Sequence, residues 1–245
     1  MLNSYEKYIL TIEIREKCMN YLEMNKEYWE KGYNAVNVDH MVFRFYGRIL
    51  KPQFNLGGNW ERLVDFGCGQ GSAVNFFHDQ GFNVHGVDIS ENDIAVAKIR
   101  YPHIAKDFSL CAPDPRQNDY YGFAEDVAVV TAVQSLYYFS DEDFQICMDK
   151  IYRSMRKGGI FYATMMGENS REFYDNSTEL KDELRVVNFK NERINVENYC
   201  MSFIKDEEHL KRKFSMFTPV HTGYYAAKFR NEEGDGFHYT FCGIK

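Results

Sequence analysis

The sequence predicts an α/β protein in three layers: a mostly parallel sheet flanked by helices, with an antiparallel hairpin at its C-terminal end. Three observations carry this. Strand-like and helix-like patterns alternate between residues 62 and 166, the order that builds a parallel sheet through right-handed crossovers. The run at 126–132 is apolar but for Asp126 at its start and Thr131, as a central strand buried on both faces would be. Two apolar-rich segments near the C-terminus are joined by a turn-forming stretch and read as a hairpin.

Taken in order, residues 5–32 carry Tyr8, Ile9, Ile12, Ile14, Cys18, Tyr21 and Leu22 at roughly helical spacing among Glu and Lys. A second helical pattern over 38–50 runs through Val42, Phe45, Tyr46 and Leu50, and Pro52, Gly57 and Gly58 then break the chain. Together these helices form an N-terminal cap over 1–58. Residues 62–66 read as a strand, 71–80 as a helix closed by Gly81, 83–88 as a strand, and 91–100 as a helix with Ser90 as its N-cap. A weak strand at 108–111, the central strand at 126–132, a helix at 141–156 and a strand at 159–166 follow. Residues 167–204 are polar and aperiodic, long enough for an insert that acts as a lid or specificity element. Residues 205–214 read as a helix; 217–229 and 237–244 are the hairpin strands around a turn at 230–236. No internal repeat or low-complexity tract divides the chain, so a single domain over 1–245 is expected.

The formal net charge of -7 disfavours a nucleic-acid partner, because an acidic surface repels phosphate backbones. Lys211-Arg212-Lys213 and the basic residues between Arg153 and Lys157 sit among acids and read as solvated helix faces. The six cysteines, at 18, 68, 111, 147, 200 and 242, show no paired ligand spacing, so no metal site is expected. No apolar run is long enough to span a bilayer, and the start lacks a basic, apolar leader; a cytoplasmic protein is expected, with no membrane partner. Monomer and homodimer both stay open.

The chemistry is concentrated in Asp65-Phe66-Gly67-Cys68-Gly69-Gln70-Gly71, which follows a strand and opens a helix. Glycines let the backbone turn sharply and approach a ligand, and the helix start offers free N–H groups. A dinucleotide loop would carry G-x-G-x-x-G. Here no third glycine stands at that spacing, and an acid precedes the glycines. A carboxylate is unfavourable beside a pyrophosphate and favourable beside a cationic ligand. Asp88 ends the next strand, where a carboxylate accepts the hydroxyls of a ribose.

With these two acids at successive strand ends, residues 60–166 resemble the class I S-adenosylmethionine (SAM)-dependent methyltransferases. Residues 127–139 are similar to the family's fourth strand and following loop. Residues 151–160 are similar to its next helix and turn, with Lys157 where a proline is usual. Residues 28–34 and 238–245 resemble a bacterial subgroup acting on small molecules, some of it in capsule or surface-glycan biosynthesis. The resemblance implies a Rossmann-like fold, SAM as cofactor and S-adenosylhomocysteine (SAH) as product. It implies that Asp65, Gly67, Cys68 and Gly69 frame the amino-acid part of SAM, that Asp88 holds the ribose, and that Ile89 lies beside the adenine. Gln134 would face the methionine or the acceptor. The family's adenine-reading acid after the third strand is missing; Cys111 and Ala112 stand there, with Asp114 close by. Tyr28, Tyr33 and Arg44 would close the pocket from the N-terminal side, Arg44 as a bidentate partner of the methionine carboxylate.

The implied reaction is methyl transfer from SAM to an oxygen or nitrogen of a small polar metabolite, a sugar, sugar-nucleotide or capsule precursor among the candidates. Two other readings are a non-catalytic SAM-binding scaffold and a methyltransferase acting on protein or tRNA. Proximity supplies much of the catalysis, and a general base is needed only where the acceptor must lose a proton. The candidates for that role are Tyr137, His221 and His238, with Tyr138 and Glu168 on neighbouring loops. Within the insert, Arg171, Lys181, Arg185, Lys190 and Arg193 could meet a phosphorylated acceptor. The loop after the fourth strand lacks the asparagine-proline-proline-aromatic sequence of amino-methylating nucleic-acid enzymes.

Overall fold

The computed structural model describes residues 20–30, 37–189, 198–228 and 236–245. Its main sheet has seven strands: β1 (Arg62–Phe66), β2 (Asn83–Asp88), β3 (Phe108–Leu110), β4 (Val127–Ala132), β5 (Met155–Met166), β9 (Thr218–Tyr225) and β10 (His238–Ile244). Their order is β3-β2-β1-β4-β5-β10-β9. Strands β1 to β5 run parallel, and β10 is antiparallel to both β5 and β9. Every residue of β4 is buried, which explains its apolar run. The mostly parallel sheet and its terminal hairpin are those the sequence predicts.

Crossover helices α3 (Ser72–Asp79), α4 (Glu91–Arg100) and α5 (Asp141–Ser154) link the parallel strands. The hydroxyl of Ser90 caps α4 by accepting from the Asp93 N–H, as the sequence predicts. Two elements depart from expectation. Strand β5 begins at Met155, not at 159, because Met155 already pairs with Val127 before a bulge at Gly158–Gly159 restores register. The second N-terminal helix, α2, runs on through residues 40–54 despite Pro52. A π-helical segment at Tyr46–Leu50 lets it do so. Proline removes one N–H and crowds the carbonyl four residues back, at Arg48. That carbonyl instead accepts from the Gln53 side chain at 3.1 Å.

The insert is a second sheet. After the single turn α6 (Arg171–Tyr174) come β6 (Ser177–Lys181), β7 (Leu184–Val187) and β8 (Tyr199–Ser202), antiparallel in that order. Helix α7 (Glu207–Lys213) then leads into the hairpin. Helix α1 (Tyr21–Glu30) lies against β8: the Tyr28 and Tyr199 rings are 4.2 Å apart, and Asn25 accepts from the Cys200 N–H while donating to the Tyr138 carbonyl. The expected helix before residue 20, the hairpin turn up to 235, and Tyr33, Lys190 and Arg193 lie outside the described residues. No helix among the described residues is long and apolar enough to cross a membrane.

Candidate functional site

The C-terminal ends of β1, β2 and β4 open into one cavity, where ligands of open α/β sheets bind. Its walls include Asp65, Gly67, Cys68 and Gly69 after β1, Asp88 and Ile89 after β2, Cys111 and Pro113 after β3, and Gln134, Ser135 and Tyr138 after β4. Leu22, Asn25 and Trp29 of α1, with Asn37, Asp39 and Val42 at the start of α2, supply the N-terminal wall.

The backbone of the glycine loop is held by the next strand end. The Gly69 N–H donates to Asp88 Oδ2 at 2.8 Å, and the Ser90 N–H donates to Asp88 Oδ1 at 2.9 Å. Gly67, at φ 74°, approaches so closely that an added Cβ would lie 2.4 Å from that of Ser135. At Gly69 an added Cβ would meet no protein atom, so this glycine leaves the space above the loop free for a ligand. Asp65 Oδ1 accepts from Thr131 Oγ1 at 2.6 Å. Burial raises both the Asp65 and the Asp88 carboxyls to about 6, the hydrogen bonds to each only partly offsetting it. A cationic ligand would return them to the ionised form. Helix α3 presents its first turn, Ser72 and Ala73, to the same cavity, offering unpaired N–H groups.

The sequence candidates divide. Asp65, Gly67, Cys68, Gly69, Asp88, Ile89, Cys111 and Gln134 are brought together on the cavity wall, whereas Ala112 sits one residue from it and instead exchanges hydrogen bonds with Asn118. Tyr28 is buried under Tyr199 rather than on the wall, and Arg44 is exposed on α2. His221 is exposed on β9, bonded to Gln53. Tyr137 and His238 are buried together, their polar atoms 3.5 Å apart. His238 Nδ1 bonds the Gly236 carbonyl, so Nδ1 carries the proton and Nε2 keeps its lone pair. Glu168 donates its backbone N–H to Ile204 at the base of the insert.

Sequence reasoning missed Asp39, Asn25, Trp29 and Ser135. Asp39 had a signal: an Asp at the start of the helical pattern expected over 38–50 is a capping residue type, and it caps α2, which begins at His40, through the Met41 N–H. The others depend on which face of a helix or loop meets the sheet.

Residues 63–159 match the family described as "Methyltransferase domain". A SAM-dependent methyltransferase from Methanosarcina mazei superposes with a TM-score of 0.63 at 12% identity, covering 86% of this chain and 99% of that one. Magnesium protoporphyrin IX methyltransferase from Synechocystis, solved with bound SAM, gives a TM-score of 0.58 at 14% identity over 92% and 97% of the two chains. A phosphoethanolamine N-methyltransferase from Haemonchus contortus gives 0.55 at 18% identity over 89% and 56%. No curated protein matches the sequence. The fold is that of the Rossmann-like class I methyltransferases. A methyltransferase domain thus occupies residues 63–159, within a fold shared with SAM-dependent enzymes.

Proposed function

We propose that the protein transfers the methyl group of SAM to an oxygen or nitrogen of a small, unphosphorylated polar metabolite, and that the chain works as one catalytic unit. In that unit 1–58 forms a cap and 167–204 a specificity wall. The observation that carries the reading is the pair Asp65 and Asp88 at adjacent strand ends, the first buried and the second half-buried beside the glycine loop. SAM, when bound, supplies a methyl group on a sulfonium that is already a good leaving group. The protein's residues bind, orient and exclude water.

In this reading Asp65 faces the ammonium, Asp88 accepts the ribose hydroxyls with the lone pairs its backbone bonds leave open, and the first turn of α3 receives the methionine carboxylate. Arg44, exposed on α2, is not needed for that carboxylate. Ile89, Cys111 and Pro113 flank the adenine with apolar surface. A sugar nucleotide or other phosphorylated acceptor would call for cations, and no Lys or Arg lines the cavity among the described residues. Capsule and glycan precursors are therefore favoured only in unphosphorylated form. A scaffold that has lost catalysis would be expected to lose the glycine loop or the ribose acid, and both are intact.

The test is calorimetry with SAM and SAH on the wild type and on Asp88→Ala. The wild type should bind both. The substitution should weaken binding by about 1–3 kcal/mol, the cost of leaving ligand polar groups unpaired. Unchanged affinity in the variant removes Asp88 from the ribose role.

A further inference from the structure

Next to the cofactor cavity lies a second polar cluster, reached through Gln134. This residue ends the β4 turn in the left-handed region, at φ 55°, a conformation that glutamine adopts at a cost. Its N–H donates to Thr164 Oγ1 at 2.8 Å, and its side-chain Nε2 donates to Asp39 Oδ2 at 3.2 Å and to Tyr225 Oη at 3.1 Å. One strained residue thus ties the start of α2 to the last hairpin, at the rim of the cavity it shares with Asp39.

The sheet beside this tie is polar where a packed face would be apolar. Met166, Thr164 and Tyr162 on β5 stand opposite His238, Thr240 and Cys242 on β10, and these in turn stand opposite Tyr225, Gly223 and His221 on β9. Residues directly opposite, and those two apart, share a face. Phe45 of α2 stacks on the Tyr162 ring at 4.2 Å, so this is the face that α2 covers. Gly223 in the middle of the row contributes no side chain, and Thr240, Gly223 and Tyr225 are only half-buried. The Tyr162 hydroxyl is buried and has no hydrogen-bond partner. Its charged and polar neighbours are Tyr225, Asp39, Cys242 and Arg44. A buried hydroxyl without a partner destabilises the fold, and a ligand that bonds it recovers that cost.

The donor and acceptor inventory sets the ligand class. The Asp39 carboxylate accepts from the Met41 N–H on Oδ1 and from Gln134 Nε2 on Oδ2, with the His40 ring 3.6 Å from Oδ1, which leaves lone-pair capacity on Oδ2. The His238 ring stacks flat on Tyr225 at 5.1 Å, with its Nε2 facing the Tyr137 hydroxyl at 3.5 Å, and so forms an aromatic wall of the cluster. The Tyr162 hydroxyl takes either role. Four carboxylates, Asp39, Asp65, Asp88 and Asp93, line the adjoining cavity with no Lys or Arg among the described lining residues. SAM carries one net positive charge, so a negative field remains for the second substrate.

The geometry points to an acceptor subsite built from Asp39, Tyr162, Tyr225 and His238 beside Gln134, which takes a small amine as its ammonium and makes this protein an N-methyltransferase. This rests on the methyltransferase reading above. The acceptor enters as R–NH3+ with Asp39 as its counter-ion and gives one proton to water. The nitrogen lone pair then forms the N–CH3 bond as the S–CH3 bond breaks, and that bonding pair passes to sulfur. The products are R–NH2–CH3+, still matched to Asp39, and neutral-sulfur SAH.

The experiment begins with calorimetry of SAH alone, then titrates SAH-loaded protein with matched pairs: ethanolamine against ethylene glycol, tyramine against tyrosol, glucosamine against glucose, and phosphoethanolamine as the anionic member. The expected result is at least one amine binding tenfold or more tighter than its hydroxyl counterpart, with phosphoethanolamine weaker than ethanolamine. Asp39→Asn, which keeps a good helix cap, should abolish that preference, read as the ratio of amine to hydroxyl affinity on protein held saturated with SAH. Tyr162→Phe should weaken the bound amine while leaving Tm unchanged or higher, since a purely structural hydroxyl would give no such split. Equal binding within every pair, tighter binding of the phosphorylated member, or no amine binding overturns the amine subsite while SAH binding stands. Failure to bind SAH or SAM sinks the methyltransferase reading, and the subsite falls with it.

Discussion

Asp65 and Asp88 show how burial is turned to use at the scale of one residue. Each carboxyl sits at about 6 in the folded protein, above its ordinary value near 3.8, because desolvation outweighs the hydrogen bonds it receives. The folded state without ligand therefore holds these protons more tightly than the unfolded chain. The stability this pair contributes is complete below about pH 4 and is lost as pH rises through about 6. A cationic ligand reverses the preference, since it binds the ionised form. SAM affinity should accordingly rise from about pH 5 to about pH 7 and then level off, and Asp65→Asn should flatten the profile. Calorimetry across that range on both proteins checks it; a pH-independent affinity in the wild type would remove Asp65 from the cation site. His238 has the opposite sign. Its folded value, about 4, lies below the ordinary 6.5, so burial of the neutral ring adds stability above pH 6.5 that is lost as pH falls towards 4. The difference in urea midpoint between wild type and His238→Gln should shrink over that interval, and a constant difference would contradict the buried, neutral imidazole.

At the scale of the element, the loops after β1 and β4 are one device. Gly67 turns with positive φ against Ser135, whose hydroxyl donates to the Phe66 carbonyl at 2.9 Å. Gly67→Ala must both adopt a left-handed backbone and displace Ser135, so it should cost about 1–3 kcal/mol from the backbone alone and more from the clash. Urea unfolding and SAM calorimetry should both register it; an unchanged midpoint with unchanged affinity would show that the two loops are not coupled. The sequence made this region legible, because alternating periods and an acid at each strand end are local signals. Strand β4 was readable for the same reason, being apolar at every position but Thr131. The insert was not: β6 is largely exposed, so its side chains carry no period, and β7 and β8 bury residues against α1, a partner more than a hundred and fifty positions away. The continuation of α2 past Pro52 was hidden too, since a π-helical register is set by packing and by a side chain capping a lost bond. In the candidate site the cofactor loop was visible, whereas Asp39, Tyr162 and Tyr225 meet only through strand register and the path of α2.

At the scale of the molecule, the N-terminal wall of the cavity is held by segments far apart in sequence, and their coupling is itself testable. Helix α1 is tied to the β4–α5 loop by Asn25 and by Tyr21, whose hydroxyl meets Ser140 and Asp143, and to the insert by Asn25 and the Tyr28–Tyr199 stack. Arg116 binds the same Asp143 from the loop after β3. Asn25 is 2% exposed and serves two backbone groups at once, so Asn25→Ala strands a buried N–H and a buried C=O and should cost about 2–4 kcal/mol. The central strands β1 and β4 share none of these bonds. Hydrogen exchange should therefore separate two cooperative units: α1 with β8 and β7 opening together, and the parallel sheet opening only with global unfolding. In Asn25→Ala the first unit should exchange faster as a block while β1 and β4 keep their protection. SAH at saturation should still bind, because the glycine loop and Asp88 belong to the second unit. Faster exchange confined to α1 alone would show that the insert folds against the sheet by itself; equal acceleration in β1 and β4 would show one indivisible unit, and the cap would then have no independent freedom to admit an acceptor over a bound cofactor.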